Sequence, residues 1–136
     1  MKVLALLLAL VCGAVGAKDP EPDTIWNMVA SVPSRGLTFW QHKAVAQSGE
    51  KNEIRHATEL VNFNLKERDS MSYINATQYD CENRKYRILE QIWFEDWFAK
   101  GKMMHRLSNE DADWKDVPPG SPAAKSLMYV CSFKGA

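Results

Sequence analysis

From Thr24 to Val32 the chain alternates, TIWNMVASV, and Trp26, Met28, Ala30 and Val32 fall on one side of an expected strand. Pro33-Ser34-Arg35-Gly36 supplies turn chemistry. LTFWQHKAVAQ follows as a second extended run, closed by the turn residues Ser48-Gly49-Glu50-Lys51. The next stretch, EIRHATELVNFN, fits two periods. Ile54, Thr58 and Val61 sit at helical spacing, but Arg55, Ala57, Glu59, Val61 and Phe63 alternate with Ile54, His56, Thr58, Leu60 and Asn62, and the strand is the reading adopted.

The pattern sharpens after Asp69. In MSYINATQYDC, Met71, Tyr73, Asn75, Thr77, Tyr79 and Cys81 share one face of a strand. RKYRILEQIWF is dense in residues that favour strands, with Tyr86, Ile88 and Ile92 on the parity of Arg84 and Glu90, and Lys85, Arg87, Leu89, Gln91 and Trp93 on the other. Glu95 to Gly101 reads as a turn, and KMMHRL as a last short strand. The period then changes. After the loop DADWKDVPPG, Ser121 is a good N-cap and Pro122 suits the first helical position. From there Ala124, Leu127, Met128 and Cys131 line one stripe of a short amphipathic helix. The predicted class is α+β: about six antiparallel strands covered by one C-terminal helix.

The N-terminus belongs to none of this. Lys2 precedes VLALLLALVCGAVGA, a short apolar core ending in small residues, which predicts a Sec signal peptide over residues 1–17. The charged, proline-rich KDPEPD that follows (18–23) reads as a flexible tail, leaving a single domain over residues 24–136. Val11 precedes Cys12 where a lipobox needs a small residue, so Cys12 goes with the peptide and no lipid anchor is expected. Export to the periplasm, cell surface or medium is the implied localisation.

Composition narrows the function. With 17 Lys and Arg against 17 Asp and Glu, the net charge is zero, which offers no electrostatic case for nucleic acid or a lipid surface. A mean hydropathy of −0.36 and no later apolar run exclude a transmembrane segment from the expected domain. No G-x-S-x-G, phosphate-cradling loop or paired catalytic carboxylates are present, and His42, His56 and His105 lack ligand spacing. No catalytic residue, metal or cofactor is therefore assigned. Cys81 and Cys131 remain after export; an even pair in an oxidising compartment is expected to bridge, which would tie the helix to the sheet.

Two groups remain as candidate protein-binding residues. Arg84, Lys85 and Arg87 could meet acidic surfaces, against the bland reading of a solvated strand face paired with nearby carboxylates. IWFEDWF cannot turn every ring inward, so Trp93 and Trp97 are candidates for a binding or dimer patch, against simple burial. Asn75-Ala76-Thr77 matches a glycosylation sequon, a triplet common by chance.

Three landmarks occur in order: Asp80-Cys81 with Arg84, Lys85, Arg87 and Leu89; Gly101 before a short strand and then WKDVPPGS from Trp114 to Ser121; and Val130-Cys131. This pattern resembles the surface-adhesin protein E-like domain of exported bacterial proteins. The resemblance implies an antiparallel sheet with a C-terminal helix held by a Cys81–Cys131 disulfide, a capacity to form homodimers, and binding of host matrix or serum proteins such as vitronectin and laminin. Family binding residues lie outside the matching landmarks and do not carry over. The competing expectation is a periplasmic inhibitor or accessory protein that caps an enzyme or envelope complex.

Overall fold

The alternating runs pair in chain order, because each is joined to the next by residues suited to tight reversal. A computed structural model describes residues 25–48, 54–67 and 69–132; the expected signal peptide and tail lie outside them. Strand β1 (Trp26–Val32) turns through Pro33–Arg35 into β2 (Leu37–His42). Gly36 closes that turn at φ 65°, a left-handed backbone that only glycine adopts without strain. Short β3 (Ala46–Ser48) leads to β4 (Ile54–Glu67), and β5 (Ser70–Asp80) and β6 (Lys85–Phe94) complete the centre. The edge strand β7 (Met103–Ser108) and the two-residue β8 (Lys115–Asp116) precede α1 (Pro122–Ser132).

All pairings are antiparallel, and the strand order is β1-β2-β4-β5-β6-β7. β2 and β3 share the outer side of β4, while β7 and β8 share the outer side of β6. Among the described residues the expected α+β architecture forms: an eight-stranded antiparallel sheet, six strands in its main order, with one helix.

Two β-bulges correct the expected parities. One lies between Met28 and Ala30 on β1, where Met28 pairs with Trp40 but Ala30 pairs with Phe39. An extra residue turns the strand over, so the expected common face splits: Ala30 is buried and Met28 is 56% exposed. The other falls opposite Ala76 and Thr77, which pair with Glu90 and Ile88 and leave Leu89 unpaired. Tyr86 and Ile88 thereby join Gln91 and Trp93 on one face, although simple alternation separates them.

The helix covers one end of that face. Ser121 Oγ accepts the Ala124 N–H at 3.1 Å, the expected N-cap. Ala124, Leu127 and Val130 pack with Ala57, Tyr79 and Val117 as the core under the helix. The stripe is rotated from the expected one. Met128 points out at 66% exposure, and Val130 is fully buried in its place. Two polar contacts set this rotation: Arg55 Nη1 donates to the Val130 carbonyl at 2.7 Å, and Asn27 Nδ2 donates to Tyr129 Oη at 2.7 Å. The Cys81–Cys131 disulfide, with Cα atoms 5.7 Å apart, joins the β5–β6 turn to the last turn of α1.

The opposite face is closed at the other end by the turn Trp97–Ala99. Its backbone N–H groups at Phe98 and Ala99 donate to Asn62 Oδ1 (2.9 Å) and Ser72 Oγ (3.0 Å), over a fully buried Leu60. The Phe98 ring meets Trp40 edge-on at 5.1 Å.

Candidate functional site

The helix-side face carries a row of polar side chains that alternation alone would call core. Register places Gln41, Glu59, Asn75 and Gln91 side by side across β2, β4, β5 and β6. Gln91 Nε2 donates to Asn75 Oδ1 at 2.9 Å, and Gln41 Nε2 donates to Glu59 Oε1 at 2.6 Å. Thr77 Oγ1 donates to Glu59 Oε2 at 3.1 Å, and the Tyr79 hydroxyl donates to Glu59 Oε1. Burial pushes the Glu59 carboxyl from 4.5 up to about 7, against the lowering effect of hydrogen bonds from Gln41, Thr77, Asn75 and Ser126. Burial and the Glu59 charge push the Tyr73 phenol up to about 12. Glu59 therefore changes charge near neutral pH.

Sequence reading passed over Glu59 as one member of an alternating run. The available signal was a single carboxylate on the parity of Ala57, Val61 and Phe63. Its partners come from two other strands, β2 and β5, and from Ser126 on α1, and only register and the docked helix bring them together.

The predicted basic cluster is divided. Arg84 stands in the turn after Cys81 at φ 54°, and its carbonyl accepts the Val117 N–H at 3.3 Å. Lys85 pairs with Asp116 at 3.3 Å, an exposed contact of little energetic weight. Arg87 Nε donates to Gln78 Oε1 at 2.7 Å, and its guanidinium lies 4.5 Å from the Trp114 ring centroid. Asp80 belongs to the same turn: both its oxygens accept from Asn83, which holds the carboxyl below its usual value. The turn thus uses these charges to hold the β5–β6 connection and the 114–117 segment together.

Trp93 and Trp97 lie at the far end of β6, eight residues beyond Lys85, or about 26 Å along a strand. Trp93 stacks on Phe63 and Tyr73 with centroids 5.6 and 4.9 Å away. Trp97 donates its indole N–H to the Phe63 carbonyl at 2.6 Å but stays 37% exposed. Its ring lines two adjoining hollows of about 330 and 370 Å³, one with Met71 and Lys100, the other with Trp40 and Asn64. Trp93 meets the Phe63 ring on the helix-side face, whereas Trp97 bonds the Phe63 carbonyl from the turn on the opposite face, and the three cations lie near neither.

Among the described residues, no group of three His, Cys, Asp or Glu could hold a metal, and no helix is long and apolar enough to cross a membrane. His42 accepts the Ala44 N–H at 2.9 Å through Nδ1 and His56 Nδ1 sits 3.3 Å from Gln78 Nε2, both local roles. The sequon residue Asn75 is buried in the polar row.

The profile of surface-adhesin protein E matches residues 26–132, from the start of β1 to the end of α1. This chain belongs to the surface-adhesin protein E family. Its fold is similar to that of Haemophilus influenzae protein E, with a TM-score of 0.64 at 10% identity, covering 85% of this chain and 90% of that one. A selenomethionine form of the same protein gives 0.60 at 11% identity, covering 82% and 89%. A second crystal form gives 0.56 at 10%, covering 69% and 80%. No curated protein matches the chain. At such identities the likeness is one of fold, and the adhesin E family architecture is retained while most side chains differ.

Proposed function

We propose that this chain is an exported, non-enzymatic adhesin-like module that binds a host matrix or serum protein through the surface around Trp97. Family membership over residues 26–132 supports the adhesin-like reading. The observation that carries the binding surface is the half-exposed Trp97 indole between two hollows, since aromatic anchors seated beside pockets dominate protein interfaces. Trp93 stacks on the ring of Phe63, the residue whose carbonyl holds the Trp97 indole. Arg84, Lys85 and Arg87 lie at the other end of the sheet and act in steering an acidic partner rather than anchoring it. Residues 1–17 serve as the signal peptide in this reading, delivering a single domain to the periplasm or surface.

The test is surface plasmon resonance of the purified chain on immobilised vitronectin and laminin. Saturable binding at micromolar concentrations, weakened about tenfold by Trp97→Ala, is expected. No saturation on either protein, or binding indifferent to Trp97, rejects the proposal.

A further inference from the structure

A recess lies between the polar row and the first turns of α1. It holds about 140 Å³ and is lined by Phe39, Tyr73, Tyr79, Tyr86, Ala123 and the Glu59 carboxylate. Phe39, Glu59, Tyr73 and Tyr86 each keep partial solvent exposure, so the recess is open and not a sealed void. Its volume is well below what a drug-sized ligand fills, and suits one side-chain-sized group.

The chemistry of the lining is one-sided. Rings of β2, β5 and β6 surround the space, with Tyr79 and Tyr86 near parallel at 29° and 6.4 Å between centroids. The groups that act on the Glu59 carboxyl are neutral amides and hydroxyls: Gln41, Thr77, Asn75, Ser126 and Tyr79. An aromatic wall and a carboxylate together present negative potential to whatever enters.

We infer that this recess binds a primary alkylammonium group, its charge meeting Glu59 and its methylenes lying against Tyr73, Tyr86 and Phe39. The group belongs either to a small free amine or to a lysine side chain of a partner. The site is separate from the Trp97 surface and stands or falls independently of adhesion.

Protonation supplies the control. Burial places Glu59 near neutrality, so a cation binds its ionised form above about pH 7 and loses that attraction below it. The other titratable or charged groups around it are Tyr73 and Tyr79 on β5, Tyr86 on β6, Arg55 on β4 opposite Tyr79, and Arg35 in the turn before β2, whose charge acts on Tyr73. Arg55 is engaged with the Val130 carbonyl, and Tyr73, its phenol pushed up to about 12, stays neutral in this range.

The experiment titrates n-butylammonium, N-acetyl-lysine amide and, as the neutral shape control, 1-pentanol into the full chain, followed by NMR of the tyrosine ring signals. Expected are saturable shifts of Tyr73, Tyr79 and Tyr86 with an ammonium probe, affinity at least about tenfold higher at pH 8 than at pH 5.5, and loss of binding in Glu59→Gln. Ala123→Met, which fills the recess from the helix without touching Glu59, should also abolish it. Saturation by butylammonium alone assigns a free amine; saturation by both ammonium probes extends the site to lysine side chains. Failure of both to saturate, equal binding of pentanol, or unchanged affinity in folded Glu59→Gln overturns the inference.

Discussion

Replacing Glu59 by glutamine should make this protein more stable at alkaline pH and leave it almost unchanged in acid. The carboxyl is held near 7 in the folded chain and returns to about 4.5 when unfolding releases it to water. Between those values the unfolded chain has lost a proton that the folded chain still binds. Stability therefore falls as pH rises through this window, and is fully present only below about 4.5. The whole shift corresponds to about 3 kcal/mol lost by pH 8. Glutamine keeps an oxygen to accept from Gln41 and Tyr79 and has no charge to desolvate, so the variant should escape that loss. The assay is urea unfolding followed by tryptophan fluorescence, for both chains, from about pH 4.5 to pH 8. Asp80, whose pKa is lowered, acts with the opposite sign below this window, and Tyr73 acts only far above it. Parallel pH profiles, or a Glu59→Gln chain weaker than the parent at pH 8, would refute the reasoning.

Two further outcomes test the packing. Cys81→Ser opens a loop of 50 residues, a loss of about 4 kcal/mol in the chain-entropy picture, so the melting temperature in non-reducing buffer should fall by about 15 °C. An unaltered melting curve would remove the bridge from the account of stability. Leu127→Ala, at a site 2% exposed beneath the helix, should cost about 2–5 kcal/mol, while Met128→Ala at 66% exposure should change stability by less than about 0.5 kcal/mol. Denaturant midpoints for the pair decide whether the helix sits in the observed rotation; equal losses would restore the stripe that puts Met128 inward.

Local chemistry determined a good deal by itself. Alternation marks β1, β2, β4, β5 and β6, because a residue's side in a strand depends only on its neighbours along the chain. Ser121-Pro122 sets the helix start for the same reason: the cap is made within a few residues of its own backbone. Even the Cys81–Cys131 pair was legible, since outside the expected leader the sequence holds two cysteines, each with one possible partner. What the tertiary structure decided is everything that crosses strands. A bulge costs one residue and leaves no mark in composition, yet the one at Leu89 brings Tyr86 and Ile88 round to the face of Gln91 and Trp93. The helix turns Val130 inward and Met128 outward because Asn27 and Arg55, distant in sequence, bond its last turns. Glu59 becomes a half-buried, readily protonated group only where Gln41, Asn75, Thr77 and Tyr79 close around it, because desolvation is set by neighbours in space, and register alone supplies those neighbours.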